Sequence, residues 1–223
     1  MFTLVRDSSN RRWLPALMAA AIAIGLSARV AAQNVVGSIT SFHGSVTLTR
    51  GGHQDAVAVG MAVDIQDRIV TAAGSDATVT LVDNSELLIS ESSSVVVGDI
   101  MGAAVTAPRV SLIAGHVRTR VESALRRVAP VFTLGTPNAI TAVRGTDFET
   151  SYIEGKPCPG FPTCLRYTDV GVRRGRVEVR NRLNSAAPPI IIEAGYETSV
   201  PCEYPPAPAA PLGINDLIGP AYR

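Results

Sequence analysis

The chain has 223 residues, 46% of them hydrophobic, 5% aromatic and 17% charged, with a formal net charge of +1. That length suits one domain with short appendages, and the apolar content is ample for a core. The charge balance excludes the concentrated basic face that nucleic-acid binding requires; beyond residue 32, sixteen basic and eighteen acidic residues leave about −2.

Arg6, Arg11 and Arg12 precede an apolar run from Trp13 to Leu26, and Val30-Ala31-Ala32 follows. This is the three-part layout of a secretory signal peptide. Cleavage is predicted after Ala32, which would remove the one tryptophan. An uncleaved anchor is the alternative, although the run is shorter than the ~20 apolar residues of a spanning helix. Membrane contact is expected only through this segment if it is uncleaved. The mature chain is expected to be periplasmic or secreted.

From Val35 onward the pattern is strand after strand. Few aromatics, many glycines and prolines, and β-branched alternation after turn glycines (Gly37, Gly44, Gly115, Gly175) predict an all-β fold, a sandwich or compact β-roll of short strands. Asp83-Asn84-Ser85, between Thr78–Val82 and Glu86–Ser90, reads as a hairpin turn. Glu122 to Arg127 reads as one helical turn or a polar loop. Arg118 and Arg120 are expected to share a strand face, as are Arg174, Arg176, Glu178 and Arg180, and charged strand faces are ordinarily solvated. His43, His53 and His116 have no zinc-ligand spacing, so no metal is expected. No G-x-S-x-G nucleophile turn, phosphate loop or dinucleotide fingerprint is present, so no cofactor and no catalytic residue is assigned.

The stretch from Thr136 to Thr150 organises the rest. Ile140, Ala142 and Arg144 fall on one strand face, Thr141 and Val143 on the other, and Gly145 breaks the alternation before Phe148. Arg144, set among apolar neighbours, is expected to be a structural tie to backbone carbonyls or a carboxylate; an anion or ligand clamp is the alternative.

Thr136-Pro137, followed by Ala142-Val143-Arg144-Gly145-Thr146-Asp147-Phe148, resembles the signature of the FecR domain family. Four further segments resemble its motifs in order: Asp67 to Thr71, Leu81 to Leu87, Val110 to Val117 and Val170 to Val179. Gln66 and Asn84 stand where the family pattern carries Gly. The resemblance covers roughly Val35 to Val200. It implies structural roles for Thr136, Pro137, Arg144, Gly145, Thr146 and Phe148, and an exported module that binds a ligand or partner. The best-known relatives are inner-membrane sensors that relay the state of an outer-membrane receptor to a sigma factor. No anti-sigma segment is expected before the hydrophobic run here.

Cys158 and Cys164 flank a tight loop, Pro159 to Thr163, and in an oxidising compartment are expected to pair; a redox or metal pair is the alternative. Cys202 is left free, paired between chains, or competing for one of the other two. The proline-dense run from Pro201 reads as an extended linker or tail, with Leu217 and Ile218 as docking residues. The expected organisation is a signal peptide over 1–32, a β domain over 33–200 and a Pro-rich tail over 201–223. The expected function is a non-enzymatic binding or scaffold module in envelope signalling, with an envelope protein or a glycan as partner. A cell-wall or glycan-associated protein, or a hydrolase using scattered carboxylates, are the alternatives.

Overall fold

The computed structural model describes residues 35–98, 109–122 and 132–213. The expectations for the signal peptide and its cleavage, for the loop after Glu122 and for Leu217 and Ile218 lie outside the described residues.

The fold is all-β. Seventeen strands among the described residues join through hydrogen bonds into one continuous sheet, with no helix. The sheet has two wings that share one long strand, β9 (Val110–Arg120). The first wing runs β4 (Ala62–Asp64), β1 (Val35–His43), β6 (Asp76–Leu81), β7 (Glu86–Ile89), the second half of β9, β12 (Asp147–Glu154), β13 (Arg166–Arg174), β16 (Tyr196–Pro201) and β17 (Ala210–Pro211). The second runs β3 (His53–Ala56), β2 (Val46–Arg50), β5 (Arg68–Thr71), β8 (Ser94–Val97), the first half of β9, β10 (Phe132–Gly135), β11 (Ala139–Val143), β14 (Arg176–Asn181) and β15 (Ile190–Glu193). Among these pairings only β9 with β10 is parallel.

Period-two alternation decides which side faces in. In β6, β7 and β8 every second residue is buried, and the intervening ones are half-exposed. The inward residues of both wings form one cluster: Leu87, Ile89, Phe148 and Val170 from the first meet Ile69, Leu112, Leu134 and Ile192 from the second. The two wings therefore pack on each other, each large buried side chain contributing about 1.5–3 kcal/mol.

The crossover lies at Gly115, where φ is +87°. Residues before it pair with β8; those after it pair with β7 and β12. A Cβ there would lie 2.6 Å from Ser93 Cα and 2.7 Å from the Ser92 carbonyl, so the crossing needs glycine both for its φ and for the space. The Ser93 hydroxyl seals the gap, accepting from the His116 N–H (2.9 Å) and donating to the His116 carbonyl (3.1 Å).

The expected hairpin at Asp83-Asn84-Ser85 joins β6 to β7. Asn84 has φ +63° and Gln66 φ +71°, both left-handed, which explains why the family pattern prefers Gly at these positions. Arg174 closes β13 and Arg176 opens β14, with Gly175 (φ +83°) turning the chain between wings. The expected shared strand face thus holds for Arg176, Glu178 and Arg180 but not for Arg174.

The described part of the expected tail, residues 201–213, runs back along the sheet. β17 pairs with β16, Ala207 N–H donates to the Ser199 carbonyl (2.8 Å), and Leu212 sits against Gly171.

Candidate functional site

The Thr136 to Phe148 motif divides into a buried half and an exposed half. Thr136 is buried in the turn between β10 and β11, where its hydroxyl accepts from Ala139 N–H (2.9 Å) and meets the Thr168 hydroxyl at 2.7 Å. Asn138, which sequence reasoning passed over, is fully buried; its Nδ2 donates to the Val200 carbonyl (2.7 Å) and its Oδ1 accepts from Thr168 (2.5 Å). These bonds tie a turn of the second wing to β13 and β16 of the first. Pro137 is exposed at the tip. Gly145 has φ +59°, Thr146 is buried with its hydroxyl near the Arg144 and Arg176 carbonyls (3.2 Å each), and Phe148 lies in the core.

Arg144 does not do what the sequence reading expected of it. Its side chain is exposed and makes no hydrogen bond or ion pair among the described residues. The expected face parity is right, but in β11 the face of Ile140 and Ala142 is the outer one, away from the core. Apolar neighbours in sequence are here surface neighbours.

Outer-face side chains of β11, β14 and β15 line an open groove of about 590 Å³: Ile140, Ala142 and Arg144, then Arg176, Glu178 and Arg180, then Ile191. The register sets Ile140 opposite Arg180, and Ala142 opposite Glu178, which in turn is opposite Ile191. Val143 partners Val177 as the last pair, and Arg144 and Arg176 lie just past it at one end of the groove. The Arg180 guanidinium donates to Glu178. Arg176 lies 3.8 Å from Glu193, both largely solvent-exposed. Ile191 is 58% exposed. The groove is thus cationic at the Arg144–Arg176 end and apolar toward Ile140 and Ile191.

The outer face of the first wing is a denser ionic lattice. Arg118 donates to Asp147 through two bonds, 2.9 and 2.7 Å, and Arg120 reaches Glu86 at 3.1 Å. Burial pushes the Asp147 carboxyl up, but the hydrogen bonds and charge of Arg118 outweigh it and hold it below the ordinary value. Glu149 is buried and accepts from Arg173, and His116 Nδ1 lies 2.7 Å from the Ser151 hydroxyl. On the next strands Asp169 accepts from Ser199, and Glu197 is buried beside it. Arg118 is therefore a half-buried, paired charge rather than a solvated one. The spacing of Glu149, Asp169 and Glu197 on alternate strand positions carried no sequence signal, because burial of that face depends on strands far apart in the chain. Among the described residues no group of His, Cys, Asp or Glu could hold a metal ion.

The expected Cys158–Cys164 bridge is not formed. Cys164 bonds to Cys202, with Cα atoms 5.8 Å apart, and Cys158 is a buried free thiol. The register explains the choice: Tyr167 partners Pro201, and Cys202 N–H donates to the Arg166 carbonyl (3.1 Å), which brings Cys202 to the start of β13. Reading the segment from Pro201 as a tail hid that partner. Cys158 instead packs in a small cluster with Cys164, Tyr167 and Phe161, and Phe161 stacks on Tyr204 at 5.1 Å.

An all-β domain of paired wings, with Arg144 exposed at an Arg-Gly-Thr turn beside a groove, is the class of protein these features define. Residues 67–158 match the family model described as FecR protein. That stretch contains the Thr136 to Phe148 motif on which the resemblance rests. No curated protein matches the chain. Two crystal structures of a candidate anti-sigma factor from Parabacteroides distasonis ATCC 8503, at 1.65 and 2.50 Å, are each similar at 18% identity and a TM-score of 0.47, over 65% of this chain. This chain spans 59% of the length of those two. A cell surface anchoring domain is similar over 33% of this chain and 99% of its own, at 24% identity and a TM-score of 0.29.

Proposed function

We propose that this chain is a non-enzymatic, exported binding module of the FecR type acting in envelope signalling, and that it engages its partner through the groove over β11, β14 and β15. The observation that carries this is the exposure of Arg144. The one charged residue in the Ala142-Val143-Arg144-Gly145-Thr146 signature reaches solvent in the groove, while its neighbours Thr146 and Phe148 are buried. A signature residue with no structural partner points to recognition.

The test places a photo-crosslinking amino acid at Ile191, in the groove, and, as a control, at Tyr196 on the other wing. Intact-mass analysis of the exported protein is expected to show a discrete adduct from position 191 that Arg144→Glu abolishes without lowering Tm. Equal, non-specific labelling from both positions would sink the reading.

A further inference from the structure

We propose that the groove binds an amphiphilic carboxylate, a fatty-acid-like molecule whose head sits between Arg144 and Arg176 and whose apolar body runs over Ala142, Ile140 and Ile191. This rests on the reading of the domain as a binding module and names the chemistry of its ligand.

Arg144 and Arg176 both line one end of the groove, just past Val143 and Val177, the last pair of the β11–β14 register. No carboxylate of the described residues bridges them. Glu178 turns to Arg180 and the exposed Arg176–Glu193 contact, at 3.8 Å, leaves Arg144 unneutralised. Two guanidiniums at one end of the groove, with no carboxylate shared between them, leave N–H donors for an anion. Guanidiniums match a planar carboxylate through paired N–H donors, so a carboxylate head fits this end of the groove.

The other end of the groove sets the rest of the ligand. Glu178 satisfies Arg180, so that end offers no spare cation and repels a second anion. Ala142 is a small floor residue two positions from Ile140 on β11; Ile191 lies across Glu178 from it and leaves 58% of its surface in water. Covering this strip with an alkyl chain gains the transfer of apolar surface from water on both partners. The volume of about 590 Å³ lies within the range of sites for small organic ligands. The groove thus fits one charge at one end and an apolar body at the other.

The test uses the exported chain, isotope-labelled, titrated with dodecanoate below its micellar concentration, and in parallel with dodecanol, acetate, an extended acidic peptide and phosphatidylglycerol vesicles. Dodecanoate is expected to saturate, shifting amide signals of β11, β14 and β15. Dodecanol is expected to bind about tenfold or more weakly for want of the charge, and acetate not to saturate for want of the chain. Arg144→Gln with Arg176→Gln should weaken dodecanoate about tenfold while leaving Tm unchanged, since both side chains are exposed. Equal affinity for dodecanol, or shifts centred on another face, would overturn the proposal. So would binding of vesicles or of the peptide, but not of dodecanoate, at these strands; either result would leave the binding-module reading standing. Silence from every probe, together with no adduct at position 191, would remove both.

Discussion

His116 and Asp169 flank the same residue, since Ser151 is the strand partner of both. Burial, with the charge of Arg173 second, pushes the His116 imidazole down to about 4. Burial pushes the Asp169 carboxyl up to about 7, against the hydrogen bond from Ser199 and with the charge of Glu197. Glu149 and Arg173 face the imidazole, and Glu197 and Cys158 face the carboxyl. The signs are opposite. His116 takes up its proton more readily when unfolded, so its contribution is present above 6.5 and is lost as pH falls toward 4. Asp169 holds its proton more tightly when folded, so its contribution is present below 3.8 and is lost as pH rises through about 7. Between about pH 4 and 6.5 the two slopes offset. Urea unfolding across this window should therefore be nearly flat for the wild type. Asp169→Asn should lose stability on acidification and His116→Gln should gain it, each by a few kcal/mol; parallel curves for all three proteins would show the assignment wrong. The two arginines separate the same way. Arg144→Ala should leave stability within about 0.5 kcal/mol, because nothing is left unpaired. Arg118→Ala leaves the half-buried Asp147 only the longer contact with Arg120 (3.9 Å) and should cost about 2 kcal/mol.

At the scale of elements, much of the strand pattern was legible, because period-two alternation and turn glycines are local signals. β6 and β7 with their hairpin, and the face parity of β11, follow from them directly. What alternation cannot say is which face is the core. For β11 the sequence led to Arg144 as a structural tie, and only the burial of the opposite face shows that its own face is outward. The change of wing at Gly115 is likewise invisible locally, since β9 reads as one strand and the bend is set by Ser92 and Ser93, more than twenty residues away. Gly115→Ala should accordingly be among the most damaging single-methyl changes in the chain. The methyl meets backbone rather than a flexible side chain, and the left-handed φ adds strain, for about 3 kcal/mol or more. Gln66 offers the converse test. Its left-handed backbone lacks the glycine the family pattern prefers, so Gln66→Gly should hold or raise stability by up to about 1 kcal/mol, read from the midpoint of chemical unfolding.

For the whole molecule the decisive long-range constraint is the bond from Cys164 to Cys202, 38 residues apart. The loop it closes contains β13 through β16, and so elements of both wings. Asn181 reinforces the closure, donating to the Cys202 carbonyl (2.7 Å) and the Tyr204 carbonyl (2.8 Å). In the chain-entropy model a loop of this size restricts the unfolded state by about 4 kcal/mol. That exceeds what the short Cys158–Cys164 loop would have given, so the observed pairing is also the more stabilising one on this account. Cys158 is 2% exposed, and burial, with the charge of Asp169, pushes its thiol up to about 11. A thiol so placed stays protonated at neutral pH and does not attack the neighbouring disulfide or an alkylating reagent. Non-reducing peptide mapping of the protein purified without reductant should therefore find Cys164 joined to Cys202. Iodoacetamide should label nothing in the native protein and one residue, Cys158, after denaturation without reductant. Cys202→Ser should lower stability by about 4 kcal/mol and free Cys164 to pair with Cys158, whereas Cys158→Ser should leave the native disulfide intact at a cost of about 1–2 kcal/mol for a buried hydroxyl. Rapid native labelling of Cys158, or a mapped Cys158–Cys164 peptide in the wild type, would refute this arrangement of the three cysteines.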